Sequence, residues 1–350
     1  MRTHGGNVWQ SGAPEDWLDF SANLRPGGPP EWVRQALSSA VEYSAYYPDP
    51  AMNEARSALS AYLGIGADWV LPTAGGISAI GLAATLPVEG MLAFTPCFGE
   101  YPQAAKRRGL SLECVSLLDG ARRILRPSEA LAGRDFSNRA VWLCTPLNPI
   151  GIAFPRSEIE ALLARVEEDG GWIVLDEAFI HCCPEHSSID LLADHSRLLI
   201  AGSLTKSLGI PGVRLGYLGA QPDTLQTLAE YQSTWELSCF AEAVLRALPE
   251  HAPELHAEAA ENARRREALR CALEHLGAYV YPSDANFLLA DFGRNVATIA
   301  AALKEVGILA RECMDFPKIN DGQHLRLAVR DGDSNARLIA ELARILRADQ

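Results

Sequence analysis

The chain has 350 residues, 48% of them hydrophobic and 21% charged, with a formal net charge of -13. That length exceeds one ordinary core, so two linked domains are expected, and the composition is that of a soluble globular protein. The acidic balance argues against nucleic acid or an anionic membrane as the main partner, while leaving room for a local basic pocket that takes a small anion.

In chain order, Met1-Arg2-Thr3-His4-Gly5-Gly6 leads into polar sequence, with no apolar secretion segment. Residues 1–44 are rich in Gly and Pro and read as an arm that packs with a smaller domain. The long uncharged stretch 69–88 is broken by Pro72, Gly75, Gly76, Ser78, Gly81 and Pro87, so it reads as strand, turn and helix rather than a membrane span. Strands are predicted at 69–71, 91–94, 112–116, 141–144, 172–175, 198–201 and 215–218, with helices between them at 77–86, 100–108 and 156–168. Several of the strands are apolar throughout, as strands buried on both faces are. This alternation predicts βαβ units and a mostly parallel sheet in a large domain, 45–248, with its ligand at the carboxyl ends of the strands. After residue 248 the pattern becomes a smaller α+β domain, 249–350. It has a long helix over 253–277, with Leu255, Ala259, Ala263, Leu269, Leu273 and Leu276 near one face. Strands 278–281 and 287–290, a helix 296–306, a strand 325–329 and a last helix from Ser334 follow. Eight cysteines without regular spacing point to reduced thiols and a cytoplasmic location.

The chain has only four lysines, Lys106, Lys206, Lys304 and Lys318. Lys206 alone follows an apolar strand-like run, in Ser203-Leu204-Thr205-Lys206-Ser207-Leu208-Gly209-Ile210-Pro211-Gly212-Val213-Arg214. An amine, unlike a guanidinium, can lose its proton and attack a carbonyl; a lysine in a surface turn is the plainer alternative. Other motifs also sit at strand ends. Thr73-Ala74-Gly75-Gly76-Ile77-Ser78 opens a helix whose bare N–H groups suit an anion, or is simply a tight turn. Pro96-Cys97-Phe98-Gly99-Glu100-Tyr101 offers an aromatic face or core packing, and Thr145-Pro146-Leu147-Asn148-Pro149 holds an amide stiffly. Asp176 ends the apolar run Ile173-Val174-Leu175 and needs a cation there, unless it caps a helix. Arg214 suits bidentate contact with a phosphate.

Taken in order, these motifs resemble the fold-type-I pyridoxal-phosphate enzymes, the aspartate aminotransferase superfamily, over nearly the whole chain. The resemblance implies pyridoxal 5'-phosphate held on Lys206, with Asp176 on the ring nitrogen and Asn148 on the ring 3-oxygen. It implies Phe98 stacked on the ring, and the phosphate held by the Gly76 and Ile77 amides, Ser203, Thr205 and Arg214. It also implies a homodimer, in which Tyr47 reaches the neighbouring subunit's phosphate, and a substrate carboxylate bound by Arg326. Phe179 stands where many members carry a tyrosine on the 3-oxygen. Ser78 stands where an acidic residue is often found.

The arm, with His4-Gly5-Gly6-Asn7 and Asp19-Phe20-Ser21-Ala22-Asn23-Leu24, resembles the threonine-phosphate decarboxylases of cobalamin synthesis, relatives of the histidinol-phosphate aminotransferases. That implies decarboxylation of L-threonine O-3-phosphate, with His4, Asn7 and Asn23 toward the substrate phosphate and Arg326 and Arg330 placing the carboxylate. Leu24-Arg25-Pro26 replaces the usual Asn-Pro, so Arg25 adds a phosphate contact or lies in solvent. An aminotransferase is the alternative activity, and a regulatory or interaction protein on the same fold the alternative without one. A nicotinamide dehydrogenase would need Gly-x-Gly-x-x-Gly after its first strand, which is missing. His181-Cys182-Cys183-Pro184-Glu185-His186 invites a zinc reading, but adjacent cysteines fit one tetrahedral ion poorly, and no metal is expected.

Overall fold

A computed structural model describes residues 5–10, 12–120 and 122–348. The chain begins with β1 (Leu18–Asp19), α1 (Glu31–Ala40) and α2 (Asn53–Leu63). Strands and helices then alternate: β2 (Val70–Thr73), α3 (Gly76–Ala83), β3 (Gly90–Thr95), α4 (Glu100–Arg108), β4 (Ser111–Ser116), α5 (Pro127–Ala130), β5 (Arg139–Cys144), α6 (Arg156–Glu168), β6 (Trp172–Glu177), β7 (Leu198–Ser203) and β8 (Gly216–Gly219). Helices α7 (Pro222–Ala229), α8 (Cys239–Ala247) and α9 (Ala252–His275) lead into β9 (Tyr279–Val280), β10 (Phe287–Asp291), α10 (Val296–Glu305), β11 (Ile308–Leu309), β12 (Arg311–Glu312), β13 (His324–Ala328) and α11 (Gly332–Ala348).

Seven strands form one sheet in the order β2-β8-β7-β6-β5-β3-β4, parallel except that β8 runs against both of its neighbours. Strands β3 and β7 are buried along their whole length, as their unbroken apolar runs require when helices cover both faces. Helix α6 buries Ile159, Leu162, Leu163 and Val166, the i, i+3, i+4, i+7 stripe of an amphipathic helix. A second, antiparallel sheet, β12-β13-β10-β9, carries a smaller core that includes Leu288, Leu325 and Leu327.

The N-terminal segment divides between the two cores. Strand β1 pairs with β11 and Phe20 is buried in the smaller core, whereas α1 buries Trp32 and Val33 in the larger one and packs on α8. Residues 1–44 are therefore not an arm that packs as a unit with the small domain; the apolar spacing of α1 sends its half the other way. In α9 the inward face carries Asn262 where Ala263 was expected, and the Asn262 amide donates to the Ala285 carbonyl at 3.3 Å. Among the described residues no helix is long and apolar enough to cross a membrane.

Candidate active site

The sheet register brings three strand ends together. Thr73, ending β2, and Ser203, ending β7, both lie opposite Gly216 at the start of β8. A side chain at 216 would meet the Gly75 carbon, the Gly76 nitrogen and the Gly202 oxygen, each at 2.7 Å, so only glycine allows this approach. Gly75 has φ +86°, a left-handed conformation that glycine adopts without steric cost, and it turns the chain into α3. The first N–H groups of a helix have no intrahelical acceptor, so Gly76 and Ile77 present free donors. The Arg214 guanidinium lies against Gly75, where an added Cβ would sit 2.9 Å from Nη2, and Ser203 lies against Gly76. Two backbone N–H groups, a hydroxyl and a guanidinium thus border one small space that suits a dianion.

Thr205 does not join them. Its hydroxyl donates to the Leu215 carbonyl at 3.1 Å and accepts from the Leu215 N–H at 3.3 Å. A threonine hydroxyl has one proton, and here that proton fastens the loop carrying Lys206. The Lys206 carbonyl in turn accepts from the Arg25 N–H at 3.0 Å. Lys206 itself is partly buried, with Nζ 4.5 Å from the centre of the Phe179 ring. Burial pushes its amine below the ordinary lysine range, and the Arg326 and Arg214 cations act the same way against the opposing pull of Asp176 and Cys144.

Asp176 is 4% exposed at the end of β6. It accepts from the Tyr101 hydroxyl at 2.6 Å and from the Ala178 N–H at 3.0 Å. Burial raises its carboxyl above the usual carboxylate range, and the Tyr101 bond and the Lys206 charge pull it back. The sequence assigned Asp176 no protein partner. Tyr101, quoted only within an aromatic motif, is that partner and is itself fully buried. Phe98, partly buried, meets Tyr101 edge-on at 6.2 Å.

The buried Arg326 guanidinium donates to Asn148 Oδ1 at 2.7 Å and to the Ser21 carbonyl at 2.9 Å, and its Nε has no partner. Burial pushes its value down to about 10, which leaves it charged at neutral pH. Arg330 donates to the Asp19 carbonyl at 2.9 Å, again with an orphaned Nε. Asn23 is buried with its Oδ1 unpaired, and its carbonyl accepts from Asn286 at 3.0 Å. The backbone of Gly5 packs on Ser21 beside Arg326, and the Gly6 N–H donates to the Ser21 hydroxyl at 2.8 Å. Asn7 is exposed, and His4 lies outside the described residues. Arg25 does not lie in solvent: its Nη2 pairs with Glu254 at 3.1 Å and Glu258 at 3.8 Å, while its buried Nη1 has no partner. Tyr47 is at the surface, 79% exposed, stacked on Trp235 at 4.3 Å.

The tempting His-Cys-Cys motif is bound into the packing. His181 Nδ1 lies 3.1 Å from the Tyr62 hydroxyl, burial pushes its ring down to about 4, and Cys183 is buried beside Ile180. Among the described residues no cluster of His, Cys, Asp and Glu is arranged to hold a metal ion.

The model of the family "Aminotransferase class I and II" matches residues 15–342. The chain belongs to that family. It is 32% identical over 357 residues to a threonine-phosphate decarboxylase from Salmonella typhimurium, covering 98% of this chain and 96% of that one. It is also 32% identical over 337 residues to histidinol-phosphate aminotransferase 1 from Bradyrhizobium diazoefficiens, covering 94% and 93%. A solved histidinol-phosphate aminotransferase from Sinorhizobium meliloti, in complex with pyridoxal-5'-phosphate, superposes with a TM-score of 0.82 at 21% identity, over 94% of this chain and 90% of that one. The class I and II fold thus extends across both sheets of the present chain.

Proposed function

We propose that the protein is a pyridoxal-phosphate enzyme that decarboxylates L-threonine O-3-phosphate to (R)-1-amino-2-propanol O-2-phosphate and CO2, as a step of cobalamin synthesis. The observation that carries this reading is a whole-length similarity to a threonine-phosphate decarboxylase, in a chain whose Gly5 packs beside a buried, partly unsatisfied arginine. The residues fit the cofactor. The Gly76 and Ile77 N–H groups, Ser203 and Arg214 match its phosphate, Asp176 its ring nitrogen, and Lys206 its aldehyde.

When bound, pyridoxal phosphate supplies an electron-accepting ring that stabilises negative charge at the substrate α-carbon. The chain decides which α-carbon bond breaks by how it holds the substrate. Arg326, with donors left after Asn148 and Ser21 are served, would take the carboxylate and fix its orientation. Arg330, bonded to the Asp19 carbonyl, and Asn23, buried with Oδ1 unpaired, would suit the rest of the substrate. With its amine lowered, Lys206 would hold the cofactor aldehyde, and in its protonated form its Nζ would supply the proton that replaces CO2 on the α-carbon. Asn148 answers the ring 3-oxygen with its NH2 group, since its carbonyl oxygen is already bonded to Arg326. Phe179 has no hydroxyl and contributes only its face. Tyr47, exposed and carried on a stacked Trp235, serves the phosphate of a second copy, so the working form is a homodimer, placed in the cytoplasm.

A second reading is histidinol-phosphate transamination, favoured by the equal identity to the Bradyrhizobium enzyme. Incubation with L-threonine O-3-phosphate alone tests the first: CO2 should appear without any keto-acid acceptor. Turnover confined to histidinol phosphate with 2-oxoglutarate would replace it by the second.

A further inference from the structure

The turn that presents the Gly76 and Ile77 donors has two adjacent glycines, the residues that lose most conformational freedom on being fixed. Something outside the turn has to hold it. Between α7 and α8 the chain is irregular, and two of its side chains reach back to this place. Gln232 donates to the Pro72 carbonyl at 2.7 Å, just before the turn. Glu236 Oε1 accepts from the Ala74 N–H at 2.9 Å and from the Ser78 hydroxyl. Ala74 precedes the glycine pair and Ser78 follows it, so one carboxylate oxygen ties the two sides of the turn across the flexible residues. Trp235 explains how Glu236 gets there. Its φ of 56° is left-handed, and this bend sets the Trp235 ring outward on Tyr47 while Glu236 meets the turn.

We propose that Glu236 is a positioning residue for the cofactor phosphate, acting through the turn and never touching the phosphate itself. This rests on the assignment of the Gly76, Ile77 and Arg214 cradle to the phosphate of pyridoxal phosphate. A second anion in direct contact would be repelled, and Glu236 avoids that by engaging the Ala74 and Ser78 donors and leaving those of Gly76 and Ile77 free. The Ser78 hydroxyl proton is committed to Glu236, so Ser78 acts as the far anchor of the clamp.

The test compares two aldehydes that differ only in the phosphate. Cofactor-free wild type, Glu236→Ala and Glu236→Gln are titrated with pyridoxal 5'-phosphate and with pyridoxal, following the visible absorbance of the Schiff base. E236A should lose about tenfold in affinity for pyridoxal 5'-phosphate, the cost of a hydrogen-bond pair to a charged group, and little or nothing for pyridoxal. E236Q keeps a carbonyl oxygen for both donors and should stay within about threefold of wild type. Unchanged affinity in E236A, an equal loss for both aldehydes, or a failure of E236Q to rescue would each overturn the proposal. Should E236A not fold, Ser78→Ala carries the test: about a threefold loss, confined to the phosphorylated aldehyde, is expected, and wild-type affinity overturns it. A wild-type protein that binds neither aldehyde would instead remove the cofactor assignment beneath it.

Discussion

Replacing Arg326 by lysine keeps the positive charge and removes the planar fork. An arginine has five N–H donors; in this protein Asn148 takes one and the Ser21 carbonyl another, and the orphaned Nε has no partner. The donors that remain are enough for a two-point grip on a carboxylate. A lysine ammonium has three donors, and after serving Asn148 and Ser21 it retains one. The substitution therefore removes one charge-assisted hydrogen bond to the substrate, worth about 1.5–3 kcal/mol, and kcat/KM for threonine phosphate should fall by about 10- to 150-fold. The carboxylate would also be free to swing out of the geometry that exposes its bond. CO2 release should then fall at saturating substrate as well, so kcat should drop and not only KM rise. Initial rates of CO2 formation over a range of threonine phosphate concentrations read both parameters, and the visible spectrum confirms that the variant still takes up cofactor. An R326K protein within about threefold of wild-type kcat/KM would refute the carboxylate role, because no rearrangement of one ammonium reproduces two parallel bonds.

Lys206→Ala should abolish the Schiff-base absorbance and borohydride trapping and lower turnover by at least about a hundredfold, while the phosphate cradle still retains cofactor non-covalently; a variant that keeps its colour would show another amine at work. Tyr47→Ala should weaken cofactor binding about tenfold, the value of one hydrogen bond to a charged phosphate. Mixing it with K206A and allowing subunits to exchange should restore wild-type affinity at one site of each hybrid, since Tyr47 and Lys206 then come from different chains; no recovery would place Tyr47 in its own subunit's site or in none. Glu177 supplies a pH dependence. Burial pushes its carboxyl from 4.5 up to about 7, against hydrogen bonds from the Ser188 N–H and the Ser187 hydroxyl. A carboxyl raised on folding contributes stability that is full below its ordinary value and is lost as pH rises through the folded one. The cofactor-free protein should therefore lose up to about 3 kcal/mol from this group between about pH 4.5 and about pH 8, and Glu177→Gln should flatten that slope in urea unfolding. Parallel pH curves for the two proteins would show that Glu177 titrates normally.

Much of the site could be read in advance because its residues sit where local sequence carries the signal. Lys206, Asp176, Ser203 and Asn148 all end or follow buried strands, and a buried strand announces itself by an unbroken apolar run. The large sheet was equally legible, since the alternation of strands and helices fixes a mostly parallel order. What escaped depends on contacts distant in sequence. Glu236 lies in an irregular segment with no periodicity, and only the folded chain puts its carboxylate on Ala74. Tyr101 stood in a quoted motif, but its tie to Asp176 joins the start of α4, which follows β3, to the end of β6, and β5 lies between those two strands in the sheet. Helix α1 was hidden by composition: the glycines and prolines just before it suggested an arm, although Trp32, Val33, Leu37 and Ala40 already have helical spacing.

Arg25 shows how such long-range contacts bear on the chemistry. Read locally it was either a phosphate ligand or a solvated charge. In the fold its Nη2 holds α9 through Glu254 and Glu258, its Nη1 is buried without a partner, and its backbone N–H holds the carbonyl of Lys206. One residue of the N-terminal segment is thus tied both to the long helix and to the loop that carries Lys206. Asn23, two residues earlier, is held by Asn286, and Ser21, two residues before that, by Arg326. The same short stretch therefore contacts both Lys206 and Arg326, the arginine proposed to orient the substrate. Under the proposed reading, that stretch is where the choice between decarboxylation and transamination would be set.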